Sequence, residues 1–382
     1  MEIKRDIYLD RLIRREKNGL IKIVTGVRRC GKSYLLFNLF HNYLLDKGVK
    51  EDQIIEIALD DRSNKELRDP DNMLRFVKER IVDRDTYYII LDEVQLLAEF
   101  EDVLNSFLHI RNADVYVTGS NSRFLSSDLV TEFRGRGDEI RIYPLSFREY
   151  CSAYEGGADE AWDDYFTYGG LPLILSRETA EEKAEYLMSL FQKVYLSDII
   201  DRHKVRNREE LDELVDILAS AVGSLTNPLK LANTFKSVKK KTISDKTLKK
   251  YMDYLTDAFL VSKAVRYDIK GRKYIGSPAK FYFEDVGLVE QFGKNSENKT
   301  TKKQLEVDFV VTRGSEKYYI QSAFAMNTPD KQEQEERPLN VIGDSFKKII
   351  VVRDNIKVRR NDMGIVTVGI RNFLLDENSL NL

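Results

Sequence analysis

Residues 26–33 read GVRRCGKS, and the glycines, the lysine and the serine have the spacing of a phosphate-binding loop. An apolar run at 20–25 precedes this stretch and a helical pattern at 33–48 follows it, as such a loop requires. Glycines let backbone N–H groups converge on phosphate oxygens, and the N-terminus of the following helix favours anions. A chance match in a glycine turn is the alternative, and the local context argues against it.

We therefore expect this segment to bind ATP. Lys32 would contact the β- and γ-phosphates, and the Ser33 hydroxyl would be a ligand of Mg²⁺. The nucleotide-binding residues would be Gly26, Val27, Arg28, Arg29, Cys30, Gly31, Lys32, Ser33 and Tyr34.

A second candidate is the stretch YYIILDE at 87–93, an apolar strand that ends in two carboxylates. A buried strand would bring Asp92 to the carboxyl edge of the sheet, where it could hold Mg²⁺ through water. Glu93 could then polarise the attacking water. Alone, the stretch would be a strand followed by an acidic loop. Downstream of a phosphate loop, the Asp-Glu pair favours hydrolysis over a passive switch.

Two further stretches offer weaker candidates. VTGSNS at 117–122 could place Asn121, or else Ser120, beside the γ-phosphate, although Ser120 could equally cap a helix. FRGRGDE at 133–139 supplies Arg134 and Arg136, either of which could stabilise the transferring phosphoryl group in cis or from a neighbouring subunit. The alternative for both arginines is a solvated surface position.

Composition excludes several classes of protein. The 382 residues suggest two or three domains, and 42% apolar with 32% charged residues is typical of a globular protein. A net charge of −2 means that any nucleic-acid contact must come from a local patch. Two cysteines and three histidines make a disulfide framework or a structural zinc site improbable and favour a reducing, cytoplasmic location. There is no signal-peptide pattern and no apolar run of about 18 residues, so we expect no membrane association.

The order of the elements predicts an α/β protein. Strand patterns at 20–25, 53–59, 86–93, 113–120 and 139–145 alternate with helices, one of them beginning at Pro70. This alternation indicates a P-loop-type parallel sheet that is covered on both faces. A mostly helical region follows, and strand patterns return from about 279, with polar runs at 291–304 and 327–338 as expected loops. We expect domains at 1–150, 151–276 and 277–382.

The stretches GVRRCGKS, IILDEVQ, YVTGSNS, FRGRGDEIRIYPLSFREY and YFTYGGLP together resemble a family of prokaryotic AAA-type P-loop ATPases with a C-terminal domain of unknown function. The resemblance covers residues from about 5 to 376. It implies a five-stranded parallel sheet with the phosphate-loop strand central. It also implies that Gly135–Arg136 matches a glycine–arginine pair of the family, which makes Arg136 the better arginine-finger candidate.

Residues 227–274 have the layout of a winged helix-turn-helix, with Ser244 as an N-cap. From residue 230 to residue 250, eight lysines against the single acid Asp245 suggest contacts with DNA phosphates, and Lys270, Arg272 and Lys273 would lie on the wing. The alternative is a winged helix used only for packing, with a solvated lysine face. The eight are Lys230, Lys236, Lys239, Lys240, Lys241, Lys246, Lys249 and Lys250.

The C-terminal region resembles, through the same family, a PD-(D/E)xK nuclease core with LEVDFVV (305–311) and KYYIQSAF (317–324) as paired strands. Asp308 matches the first acidic position. The second motif reads Gln321–Ser322–Ala323, and alanine cannot replace the lysine that steadies the attacking water. A helical segment of the family is also shortened near 289–304. We expect a degenerate α+β core that serves binding or assembly.

The sequence thus favours a Mg²⁺-dependent ATPase that couples hydrolysis to conformational change, with DNA as an expected partner of the winged helix. One alternative is a nucleotide-gated switch or scaffold that binds a protein partner, or a second copy, with little turnover. A less favoured alternative is an ATP-gated DNA nuclease.

Overall fold

The computed structural model describes residues 3–119, 135–265, 278–288 and 307–382. The first sheet has five parallel strands: β1 (Ile21–Thr25), β2 (Ile54–Ala58), β3 (Tyr87–Asp92), β4 (Ala113–Thr118) and β5 (Gly137–Arg141). Their order across the sheet is β2-β3-β4-β1-β5. The expected parallel α/β sheet is therefore confirmed. The expected central position of the phosphate-loop strand is wrong: β4 lies in the middle, because three strands lie on one side of β1 and only β5 on the other.

Helices cover both faces of this sheet, which explains why its strands read as continuous apolar runs. On one face lie α1 (Asp6–Ile13) and a long helix made of α2 (Lys32–Tyr34), a π-helical stretch (Leu35–Phe40) and α3 (His41–Asp46). On the other lie α4 (Pro70–Arg80) and α5 (Phe100–Leu108). Along β3, Tyr88 and Ile90 pack on the first face while Ile89 and Leu91 pack on the second. The strand alternation thus divides the core into two layers.

The middle of the chain is helical. It contains α6 (Phe147–Ala153), α7 (Ala158–Tyr168), α8 (Ala180–Leu190), a π-helical stretch (Phe191–Leu196), α9 (Ser197–His203), α10 (Arg208–Ser220), α11 (Pro228–Val238) and α12 (Asp245–Asp257). Buried residues of these helices share one apolar cluster with the α2–α3 face of the sheet. Ser244 caps α12 by accepting the Thr247 N–H at 3.1 Å, as expected.

Two short strands follow, β6 (Val261–Ala264) and β7 (Lys280–Phe283), and they pair antiparallel. We expected β7 to open the C-terminal domain, but its hydrogen bonds join it to β6 instead. Asp285, which follows β7, fixes the junction between this part of the chain and the turn at Gly170. Its carboxylate accepts the Gly170 N–H at 2.8 Å and the Gly287 N–H at 3.0 Å.

The C-terminal sheet contains β8 (Phe309–Arg313), β9 (Glu316–Ala323), β10 (Lys347–Val352), β11 (Arg359–Arg360) and β12 (Val366–Gly369), in the order β11-β12-β10-β9-β8. β8 and β9 form the expected antiparallel hairpin. Helices α13 (Pro329–Asn340) and α14 (Ile370–Leu375) pack against the sheet. The loop expected at 327–338 is thus mostly helix, because Thr328 caps it, Pro329 starts it and Leu339 anchors it in the core.

Candidate functional site

The phosphate loop connects β1 to α2. Its backbone needs glycine at Gly26, where φ is +143° and an added Cβ would lie 2.3 Å from the Ile142 carbonyl oxygen. Gly31, with φ at +99°, turns the chain into the helix at Lys32. Both glycines of the expected loop thus have backbone angles that favour glycine.

Lys32 and Asp92 lie buried on either side of this turn. The Lys32 ammonium donates to the carbonyls of Gly26 at 3.0 Å and Val27 at 3.1 Å, which keeps it folded over the loop. The Asp92 carboxylate hydrogen-bonds with the hydroxyls of Thr118 and Ser33, and burial raises its pKa. A hydroxyl and a carboxylate side by side are the hard oxygen donors that Mg²⁺ prefers.

Glu93 follows β3 in a left-handed conformation, with φ at 51°, a region that non-glycine residues enter rarely. Its N–H donates to the Thr118 hydroxyl at 3.1 Å, and its carboxylate accepts from the Gln95 side-chain amide. Sequence reasoning missed both Thr118 and Gln95. Thr118 is the last residue of β4, so the only sequence signal was a hydroxyl at a strand end beside the Asp92 strand.

A cavity of about 690 Å³ opens over these groups. Its polar lining includes the phosphate loop with Asp60, Glu93 and Gln95. Its apolar lining residues are Ile3, Tyr34, Leu145, Pro172, Leu173 and Val194. Its size and mixed lining are those of a small-molecule site.

The helical region also contacts the loop directly. The Tyr195 hydroxyl donates to the Arg28 carbonyl at 2.9 Å, and Asp198 pairs with the Arg28 guanidinium at 2.9 Å. Pro172 lies 4.0 Å from where a Cβ on Gly31 would be. The loop is therefore in direct contact with the π-helical stretch Phe191–Leu196 and with α9.

Comparison with known proteins identifies these regions. Residues 18–151 match the family model of an AAA domain, and residues 159–299 match a domain of unknown function (DUF8612). The chain is 30% identical over 402 aligned residues to an uncharacterized protein of Haemophilus influenzae, and the alignment covers 98% of each. The chain belongs to the same family of AAA-domain proteins.

Two other relationships agree with this family. An uncharacterized protein of Methanocaldococcus jannaschii is 25% identical, with 93% of this chain and 86% of that protein aligned. The solved structure of a Walker-type ATPase from Pyrococcus abyssi superposes with a TM-score of 0.51 at 13% identity, over 76% of this chain and 96% of that one. The AAA-domain protein therefore has the P-loop ATPase fold. Within the part of the chain that the structure describes, no helix is long and apolar enough to cross a membrane.

The two weaker candidates fare differently in this AAA-domain protein. Asn121, with Ser120 and Arg134, lies outside the described residues. Arg136 is exposed and donates to Asn105 at 3.2 Å. It precedes β5, which runs parallel to β1 with Gly137 beside Ile21, so it lies at the end of the sheet opposite the phosphate loop. At least the length of β1, about 15 Å, therefore separates Arg136 from its own phosphate loop, which excludes a role in cis.

The lysine-rich segment divides into two groups. Lys239 and Lys241 form ion pairs with acids of α10, Lys241 at 2.8 Å from Glu209, and Lys230 donates to the Leu225 carbonyl. Five lysines are exposed and make no such bond within the described ranges: Lys236, Lys240, Lys246, Lys249 and Lys250. The expected wing residues Lys270, Arg272 and Lys273 lie outside those ranges.

Asp308 in the C-terminal domain lies among polar groups that bond one another. Its carboxylate contacts the Lys280 ammonium at 3.2 Å and accepts the Ser322 N–H at 3.0 Å. Gln321 accepts the Asp308 N–H and donates to Glu335 at 3.0 Å. Lys280 and Glu335 were missed from the sequence, because the first is 28 residues before Asp308 and the second was expected in a loop.

Proposed function

We propose that this AAA-domain protein binds ATP with Mg²⁺ at the phosphate loop and hydrolyses it. The observation that carries the proposal is one cavity bordered by the phosphate loop and by Glu93, with the Ser33–Asp92 pair beside it. Bound Mg²⁺ would neutralise charge on the phosphates, and Ser33 with Asp92 would hold it. Lys32 would exchange its bonds to the loop carbonyls for bonds to phosphate oxygens.

Glu93 acts as the general base in this proposal. Its backbone N–H is fixed by Thr118 and its carboxylate by Gln95, so both ends of the residue are positioned before the substrate arrives. A positioned base of this kind contributes about 10²- to 10⁴-fold to the rate. Asn121 stays a proposal as the residue that orients the water.

Arg136 acts as an arginine finger in trans in this proposal, and this requires self-association. Its guanidinium is exposed at the opposite edge of the sheet from its own phosphate loop. A second copy could receive it at its own site, and an arginine supplied in trans is worth about 10³- to 10⁵-fold in known systems.

Hydrolysis would be coupled to the rest of the chain through the helical region. Arg28 bonds to Tyr195 and Asp198, so a change at the phosphate loop moves the segment that leads to α10–α12. The five exposed lysines would contact DNA phosphates as part of a winged helix. Phosphate contacts carry no sequence information, so we expect weak sequence preference.

The alternative with support of its own is a nucleotide-gated switch. The polar cluster at Asp308 has its groups bonded to one another, which favours a C-terminal domain that packs or binds rather than cleaves. A switch would bind ATP and release almost no phosphate.

Phosphate release from Mg-ATP, with and without duplex DNA, tests the proposal. We expect turnover that Glu93→Gln lowers by about 10²-fold or more while ATP binding persists, and that Glu79→Gln, an exposed glutamate on α4, leaves unchanged. ATP binding without turnover in the wild type would favour the switch. Absence of ATP binding would contradict both.

The DNA part has its own test. Neutralising Lys246, Lys249 and Lys250 should weaken duplex binding and flatten its salt dependence. The matched control neutralises Lys357, Arg359 and Arg360, three exposed cations of the C-terminal domain. Equal effects of both sets would mean that DNA responds only to net charge.

A further inference from the structure

Thr118, the last residue of β4, bonds to both residues of the Asp92–Glu93 pair. β4 lies between β3, which ends at Asp92, and β1, which leads into the phosphate loop. The Thr118 hydroxyl donates to the Asp92 carboxylate and accepts the Glu93 N–H at 3.1 Å. One hydroxyl therefore contacts the side chain of the proposed metal ligand and the backbone of the proposed general base.

These two hydrogen bonds close a small ring through the Asp92 side chain and the peptide that joins Asp92 to Glu93. The ring restricts rotation of the Asp92 carboxylate and fixes the peptide that leads into Glu93. Glu93 is left-handed, with φ at 51°, which costs free energy in a residue with a side chain. Its carbonyl accepts the Leu96 N–H at 2.9 Å, so the bond to Thr118 holds Glu93 from the other side.

The Thr118 hydroxyl is committed to this ring. Its single proton is directed at Asp92, and the Glu93 N–H occupies an acceptor position on the oxygen. Thr118 is fully buried, and it does not belong to the residues that line the cavity. Its action on the site is therefore indirect and passes through the two acidic residues that it holds.

We infer that Thr118 is a positioning residue of the hydrolytic site: its one hydroxyl sets the Asp92 carboxylate for the metal and the Glu93 carboxylate for the attacking water. This inference rests on the proposed hydrolysis of ATP with Mg²⁺. It goes beyond that function by assigning the relative position of the two carboxylates to a single residue. Outer partners of metal ligands are typically worth about 10- to 100-fold in metal affinity or activity.

The first test compares two variants of Thr118. Thr118→Val removes the hydroxyl and keeps nearly the same volume, whereas Thr118→Ser keeps the hydroxyl and removes a methyl group. At saturating Mg-ATP we expect turnover to fall about 10- to 100-fold in Thr118→Val and to stay within about threefold of the wild type in Thr118→Ser. ATP affinity measured in EDTA should be the same in all three proteins, because the hydroxyl does not touch the nucleotide.

The affinity for Mn²⁺ with ADP bound, measured by electron spin resonance, is a second readout that does not depend on turnover. We expect Mn²⁺ to bind about tenfold or more weakly in Thr118→Val and as tightly as in the wild type in Thr118→Ser. The matched control is Thr367→Val, the same change at a buried threonine of β12 in the C-terminal sheet. It should alter neither turnover nor Mn²⁺ affinity.

Three outcomes overturn the inference. Equal losses in Thr118→Ser and Thr118→Val would mean that the shape of the side chain matters and its hydroxyl does not. Equal losses in Thr367→Val would mean that any buried threonine has this effect. A change in only one of the two readouts would mean that one hydroxyl does not position both carboxylates.

Failure of the proposed function can be told apart from failure of this inference. A wild type that binds ATP without turnover contradicts the proposed hydrolysis. A wild type that hydrolyses ATP, beside an equally active Thr118→Val, contradicts only the role of Thr118. If Thr118→Val does not fold, Thr118→Ala and Thr118→Ser provide the same contrast, because these two differ only in the hydroxyl.

Discussion

The phosphate-loop site and the Asp308 cluster both place a carboxylate beside the end of a strand, but they treat their polar groups differently. At the first site Lys32, Ser33 and Glu93 line a cavity of about 690 Å³. At the second, Asp308, Lys280, Gln321 and Glu335 bond to one another. The first site therefore has room for a ligand beside its polar groups, whereas the polar groups of the second bond to one another.

This difference has a physical meaning. A charged group that borders a cavity can exchange its bonds to the chain for bonds to a ligand, as Lys32 can exchange those to the Gly26 and Val27 carbonyls. Polar groups that satisfy each other stabilise the fold instead, and a ligand would have to break those bonds first. Open space beside the polar groups therefore distinguishes these two regions better than residue types do.

Removing the Lys32 ammonium should have the largest effect. Lys32→Ala removes the ammonium that would contact phosphate oxygens in the proposed complex, so we expect ATP to bind about 10- to 100-fold more weakly and phosphate release to fall by about 10²-fold or more. Nucleotide titration and phosphate release measure both. Lys47→Ala, which removes an exposed lysine at the end of the same helix, is the control. Equal affinity of Lys32→Ala and the wild type for ATP would show that the phosphate loop does not bind the nucleotide.

The sequence predicted the parts of the first site that are local in the chain. The phosphate loop and the Asp92–Glu93 pair are each contained in a few consecutive residues, and the strand pattern predicted the parallel sheet. Thr118 carries no local signal, because its partners, the Asp92 carboxylate and the Glu93 N–H, come from the neighbouring strand and the residue after it. The position of Arg136 could have been foreseen, since a residue that precedes a parallel strand lies at the amino edge of the sheet, away from the loop that follows β1.

Contacts between residues far apart in the chain also explain why the ion pairs of Asp308 and of the lysine-rich segment were not predicted. Lys280 contacts Asp308 across a separation of 28 residues, and Lys239 and Lys241 pair with acids of α10. A count of charges cannot distinguish a lysine that binds an acid of its own chain from one that is free to bind DNA. The strand order likewise depends on which edge of the sheet β5 joins, and the strand pattern alone does not predict that edge.

A third carboxyl, that of Asp285, lies at the junction where the chain after β7 meets the turn at Gly170. Burial raises the pKa of its carboxyl to about 6, although backbone N–H groups oppose the shift. The native state then binds this proton more tightly than the unfolded chain does. The stabilising contribution is therefore complete below about pH 4 and is lost as the pH rises through about 6, by up to about 3 kcal/mol.

Urea denaturation of wild type and Asp285→Asn from pH 4 to pH 8 measures this contribution. We expect the wild type to lose stability relative to the variant as the pH rises, because asparagine is neutral throughout. Parallel curves for the two proteins would show that the junction carboxylate titrates as it does in the unfolded chain. A variant that binds ATP as the wild type does would place the effect at the junction and not in the phosphate loop.

The Asp308 cluster should give the smallest effect, on stability alone. Asp308→Ala breaks the bond to Lys280 and leaves the Ser322 N–H without its acceptor, which we expect to cost about 1–2 kcal/mol. Hydrogen exchange of the β8–β9 amides should quicken, while ATP turnover stays the same. Asp362→Ala, at an exposed loop position, is the control. Mg²⁺-dependent nicking of a plasmid by the wild type, lost in Asp308→Ala, would break the comparison, because a cluster whose groups bond one another would then have opened to bind metal and DNA.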